Sequence, residues 1–261
     1  MKFTVVICPG AWPLLSFMEP LMEAFENRSH PAITSIVDTY PTSDPNVTVK
    51  VNPDSEYLRT KVLEPVLDTG ADVVVFMHSY GGTYGASSLQ GLSKEERQSK
   101  GLKGGIIATV QTAAFIAPTG ATALDCMGVD RNNLPYWIEY DAETDMVGIN
   151  KEYAKQVLFN DLPEDEAERL ASLLPKQPMV CFTTPAHWDP YNDPYYKGKL
   201  GYIYTGADLI FPYEAQQMQV ASAGIDHTYL LEGSSHSPHL EQPGHLADLV
   251  IDMVKNITGK C

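Results

Sequence analysis

The chain has 261 residues, 44% of them hydrophobic and 20% charged, the balance of a globular protein large enough to bury a substantial core. Its 33 acidic and 18 basic residues leave a formal net charge of −15, a surface that repels nucleic acid and anionic membrane and suits a neutral or apolar small molecule. No apolar run approaches the ~20 residues of a membrane span. The cysteines Cys8, Cys126, Cys181 and Cys261 form no C-x-x-C pair, so disulfides are not expected and a reduced, cytoplasmic compartment is.

Phe3 to Cys8 reads as a buried strand that begins too early to leave room for a leader peptide, so the glycosylation sequons at Asn27, Asn46 and Asn256 are expected to be chance matches. The strand runs into the turn Pro9-Gly10-Ala11-Trp12. Leu14, Phe17, Met18, Leu21 and Phe25 then recur at helical spacing. Ile33 to Asp38 is a second strand, and the polar loop Tyr40 to Pro53 leads to a helix with Asp54 as its expected N-cap. The run Val73-Val74-Val75-Phe76 continues into Met77-His78-Ser79-Tyr80-Gly81-Gly82, a buried strand that turns sharply into a helix with Ser79 at the bend. A fourth strand spans Ile106 to Phe115.

Between Ile116 and Leu200 the alternation stops. Aromatic clusters (Tyr136-Trp137, Tyr140, Trp188, Tyr191, Tyr195-Tyr196) accompany two helical segments, Asn150 to Leu162 and one from about Asp161. So long a stretch exceeds any connecting loop and is expected to be an inserted helical cap. The sheet resumes at Tyr202 to Tyr204, followed by a helix at Tyr213 to Ala223, a strand at His227 to Leu231, the loop Gly233-Ser234-Ser235-His236 and a closing helix. The expected fold is α/β: a mostly parallel, doubly wound sheet of about six core strands, formed by residues 1–115 and 201–261, with a helical cap over 116–200.

In such a sheet reactive groups gather at the carboxyl ends of strands. Serine is a weak nucleophile and needs a base, which needs a carboxylate to orient it. Ser79, Asp208 and His236 follow three different strands in the order Ser, Asp, His. Asp226 precedes its strand, Asp189, Asp193 and His187 lie in the insertion, and His30, His227 and His245 are off the carboxyl-end loops. His78 adjoins Ser79 and is expected to turn away from it. His239 either lines the pocket or caps the last helix. The N–H groups of Tyr80 and Ala11 are the expected oxyanion donors, although Pro-Gly-Ala-Trp also reads as a plain turn. Trp12, His78, Tyr136, Trp137, Trp188 and His239 are the candidate substrate contacts, the aromatic side chains being equally consistent with packing within the cap.

With these residues the chain resembles the α/β-hydrolases, in particular the branch of plant methylesterases and hydroxynitrile lyases. Pro-Gly-Ala stands where that branch has His-Gly-Ala, and His-Ser-Tyr-Gly-Gly where it has His-Ser-Leu-Gly-Gly. The segment Leu158 to Pro175 is similar to its cap helix, and Thr205-Gly206-Ala207-Asp208-Leu209-Ile210-Phe211-Pro212 to its acid loop. The resemblance implies hydrolysis of a carboxylic ester through an acyl-enzyme, without metal or cofactor. The lyases carry a lysine after the histidine, and Ser237 stands there instead. Two departures bear on the site: Met77 replaces the first glycine of Gly-x-Ser-x-Gly and is expected to narrow the space beside Ser79, and Pro9 is expected to reshape the oxyanion loop. Carbon–carbon cleavage or rearrangement of a lactone or polyketide-like molecule, and a non-enzymatic ligand receptor, are the alternative functions. A small or medium ester with an apolar or aromatic part (a methyl or aryl ester, or a lactone) is the expected partner, with a homodimer left open.

Overall fold

The computed structural model describes residues 1–12, 14–35 and 51–259; the end of the second expected strand, most of the loop after it, the sequon at Asn46 and Cys261 lie outside these. The strands of the first sheet are β1 (Thr4–Cys8), β2 (Ala32–Thr34), β3 (Asp72–His78) and β4 (Gly105–Thr112). A second sheet comprises β5 (Ile138–Asp141), β6 (Met146–Ile149) and β7 (Gln177–Pro178). Strands β8 (Leu200–Thr205) and β9 (His227–Leu231) complete the first. Among the described residues the large sheet has six strands in the order β2-β1-β3-β4-β8-β9, every neighbouring pair parallel.

Hydrophobic patterning explains this arrangement. β4 is buried along its whole length and β3 from Val73 onwards, as parallel strands covered by helices on both faces must be. Helix Leu15–Glu26 presents Phe17, Met18, Leu21 and Phe25 to the core and touches the closing helix Pro243–Thr258, whose Leu246, Val250, Met253 and Val254 are buried. Arg28 joins the two through both oxygens of Asp248, at 2.6 and 2.7 Å. β9 is an edge strand with Leu230 exposed. The chain passes from β1 outward to β2, then returns to β3 on the other side of β1. Such a topological switch opens a crevice at the carboxyl ends of the two central strands, and the loops after β1 and β3 meet there.

Residues 113–199 separate β4 from β8. They hold helices Ala123–Met127, Lys151–Leu158, Glu164–Leu173 and Val180–Thr183. They also hold the antiparallel sheet β5-β6-β7, which a purely helical reading omits. Its strands are four residues or fewer, too short for a period-two signal, and its hairpin turns on Asp141, whose carboxylate accepts from the Glu143 and Thr144 amides. A second difference concerns helix Pro53–Tyr57: its cap is Asn52, whose side chain accepts from the Asp54 amide, while Asp54 lies inside the first turn and is buried. Among the described residues no helix is long and apolar enough to cross a membrane.

Candidate active site

Ser79 sits between the last residue of β3 and helix Gly81–Ser87, in a left-handed conformation with φ of 52°. That backbone is costly for a residue with a side chain, and it persists where surroundings over-determine it. Here the Gly82 and Phe115 amides donate to the Ser79 carbonyl at 2.9 and 3.1 Å. Gly81 is required at the bend, since a Cβ there would meet the Cys8 carbonyl oxygen at 2.2 Å. The Met77 side chain faces Gly85, where an added Cβ would come within 2.9 Å of the Met77 Sδ, so the glycine on the helix makes room for it.

Three loops bring the sequence-predicted residues together. Ser79 Oγ donates to His236 Nε2 at 2.9 Å, and His236 Nδ1–H donates to Asp208 Oδ2 at 2.8 Å. The carboxylate has only lone pairs to offer, which places the imidazole proton on Nδ1 and turns the Nε2 lone pair to the serine. All three are buried, at 6%, 2% and 4% exposure. Asp208 is fully engaged: Oδ1 accepts from the Ile210 and Phe211 amides, and Oδ2 from Thr205 Oγ1 as well as from His236. Gln216 fastens this loop, taking the Thr205 amide on Oε1 and donating to the Thr205 and Phe211 carbonyls. On the other side, the Ser235 amide donates to Asp161 of the insertion, and the Ser234 hydroxyl to Glu241. Burial, and next the nearby Asp161, pushes the Glu241 carboxyl up to about 8.

A narrow cleft, with a cavity volume of about 40 Å³, opens on Ser79 and His236. Ala11, Trp12, His78 and Tyr80 border it on the core side, and Met127, Trp137, Ile138, Leu158 and Phe182 on the insertion side. Among the described residues no Asp, Glu, Lys or Arg lines it. Charge is therefore unfavourable there and an uncharged group favoured. Ala11 and Tyr80, the expected oxyanion donors, thus lie beside the serine.

Of the candidate contacts, Trp12, His78 and Trp137 line the cleft, and three do not. Tyr136 is 64% exposed and stacks edge-on against Tyr153. Trp188 packs on Tyr196, with its carbonyl accepting from Ser87 Oγ. His239 neither lines the cleft nor caps the closing helix, whose N-cap is Gln242; it lies buried in helix Pro238–Glu241 against His78. His78 donates from Nε2 to the His236 carbonyl at 2.7 Å, bracing the backbone of that residue. Burial first, and the neighbouring His236 second, lower the His78 pKa to about 3 and keep the ring neutral. Met127, Ile138, Leu158 and Phe182 are apolar residues of short elements, indistinguishable in sequence from ordinary packing.

Compared with known proteins, the chain matches the family model described as "Alpha/beta hydrolase family" over residues 5–249. It is 25% identical to the alpha/beta hydrolase nvfD of Aspergillus novofumigatus, across 100% of this chain and 98% of that protein. It is also 25% identical to the probable hydrolase R7 of a Phoma species, across 95% and 97% of the two chains. Among solved structures, polyneuridine aldehyde esterase superposes with a TM-score of 0.69 at 18% identity, covering 97% of this chain and 99% of the other. The pyrethroid hydrolase PytH does so with a TM-score of 0.71 at 16% identity, covering 99% of each.

Proposed function

Because the chain belongs to the alpha/beta hydrolase family, we propose that it is a serine hydrolase that cleaves an uncharged carboxylic ester through an acyl-enzyme. The observation that carries this reading is the continuous relay Ser79–His236–Asp208, buried and open at its serine end to an apolar cleft. Esterases and a pyrethroid hydrolase among the proteins of similar fold add to the expectation of ester chemistry.

In the first half-reaction Ser79 Oγ attacks the ester carbonyl carbon and its proton passes to His236 Nε2. Asp208, already bonded to Nδ1–H, stabilises the imidazolium that results. The carbonyl oxygen becomes an oxyanion between the Ala11 and Tyr80 N–H groups. Collapse of the tetrahedral species breaks the bond to the leaving alcohol, which takes the proton from His236 and departs, leaving an acyl group on Ser79. Water then repeats the sequence, with His236 as base, and frees the acid. The lack of ionic side chains among the described residues lining the cleft favours esters with apolar or aromatic acyl groups over charged ones.

A fluorophosphonate probe should label Ser79 in the parent protein, and Ser79→Ala should lose both labelling and aryl-ester turnover while retaining its far-ultraviolet circular dichroism. Turnover that survived in Ser79→Ala would refute the assignment of the nucleophile.

A further inference from the structure

Besides the relay, the residues around the cleft include a second buried polar network. Asp54, 2% exposed, accepts a hydrogen bond from the Tyr80 hydroxyl at 2.7 Å and one from Gln177 Nε2 at 3.3 Å, both on Oδ2. Gln177 in turn accepts the Trp12 amide on Oε1 at 3.1 Å. Asn52 donates to the Tyr80 hydroxyl and to the Cys181 carbonyl, each at 2.9 Å. The Trp12 indole donates to the Val147 carbonyl at 2.9 Å. None of Asn52, Asp54 or Gln177 borders the cleft, so none touches a molecule bound there.

The two backbone turns that this network reaches are the ones that flank the nucleophile. Tyr80 follows Ser79, and Trp12 follows Ala11. Both turns hold a non-glycine residue in the left-handed region, Ser79 at φ of 52° and Trp12 at 56°. Such conformations relax unless neighbouring contacts hold them, and a bulky indole is among the residues least at ease there. Hydrogen bonds to a carboxylate are about twice as strong as neutral ones, and inside a protein they are not weakened by water. One carboxylate is thereby linked to the turn after β3 through a phenol, and to the turn after β1 through an amide. Three of the links, Gln177 and the Val147 and Cys181 carbonyls, come from residues 116–200.

We infer that Asp54 is a positioning residue that locks the two turns supplying the oxyanion N–H groups to each other and to the inserted segment. This rests on the assignment of Ala11 and Tyr80 as oxyanion donors. The lock sets the spacing of the two donors before substrate arrives. It also makes that spacing depend on Gln177 being docked, so a detached insertion leaves a hole that stabilises the transition state poorly.

The test compares the full-length parent with Asp54→Asn, Tyr80→Phe and the double variant. Asparagine keeps the volume of Asp54 but turns a donor toward the donors already present, while phenylalanine keeps the Tyr80 ring and its N–H. With an aryl ester, each single change should lower kcat about 10- to 100-fold, short of the loss from deleting an oxyanion donor outright, with KM within about twofold. The double variant should be no worse than the poorer single, as expected when both act on one network. Amide hydrogen exchange in the parent and Asp54→Asn supplies a readout independent of catalysis: it should quicken in the segments 10–12 and 79–81 and stay unchanged in β4. Unaltered exchange in both segments would overturn the inference, as would quickening throughout the chain, or single-variant losses that multiply in the double. Failure of the fluorophosphonate probe to label the parent would refute the serine-hydrolase reading alone, since exchange still decides whether Asp54 holds the turns.

Discussion

The rim of the parallel sheet and the inserted segment face each other across one cleft, yet they are built on different principles. On the rim each functional atom is fixed by several directed bonds: Asp208 alone accepts four, and Gln216 secures the loop that carries it. The insertion offers the cleft side chains that differ in shape but not in kind, Met127, Trp137, Ile138, Leu158 and Phe182. A hydrogen-bonded relay tolerates little displacement and no loss of a member. An apolar wall tolerates exchange of one hydrophobic group for another and alters which molecule fits. Changes on the rim should therefore act on rate, and changes in the wall on substrate preference.

The largest effect expected is that of Asp208→Asn. An amide in place of the carboxylate no longer fixes the proton on His236 Nδ1, and kcat for an aryl ester should fall by about 10²- to 10⁴-fold with KM little changed. Trp137→Ala tests the opposite wall. Loss of its ring from the cleft should raise KM about tenfold for a bulky aryl acyl ester while leaving kcat for a small acetyl ester within about threefold. An equal fall in kcat for both esters would show that the wall, too, governs rate.

Stability should respond to pH through Glu241, which sits behind the His236 loop. Its folded pKa, about 8, lies above its value in the unfolded chain, so between the ordinary glutamate value and 8 the folded state binds more protons than the unfolded one. Stability from this group is complete below the unfolded pKa and is lost as pH rises through about 8. The melting temperature of Glu241→Gln, which mimics the protonated acid, should fall less between pH 6 and pH 9 than that of the parent, as scanning calorimetry at the two values would measure. His78 contributes with the opposite sign. Its folded pKa is depressed to about 3, so its neutral form favours folding above the unfolded value and that contribution is lost as pH falls below it.

The smallest effects separate packing from contact within the insertion. Trp188→Ala removes a half-buried ring from Tyr196 and should cost about 2 kcal/mol in urea unfolding without altering KM. Tyr136→Ala, on an exposed side chain, should stay within about 0.5 kcal/mol and leave kinetics untouched. A KM change in either would show that the cleft extends beyond the residues bordering it here.

Much of this was written in local order along the chain. Five apolar residues before Ser79 and two glycines after it specify a buried strand breaking into a helix, because each step is enforced by neighbours one to four residues away. The alternation of strand and helix specifies a parallel sheet, and with it the end of the sheet at which Ser79, Asp208 and His236 meet. What folding alone decided is which distant side chains share a space. Asp54, expected only to cap a helix, becomes a buried partner of Tyr80 because helix Pro53–Tyr57 packs beside helix Gly81–Ser87; Gln177, from a two-residue strand with no pattern, reaches the Trp12 amide across 165 positions. Trp137 and Tyr136 are adjacent in the chain, and one faces the cleft while the other faces water. Burial and partnership of this kind depend on contacts between elements, which no local spacing encodes.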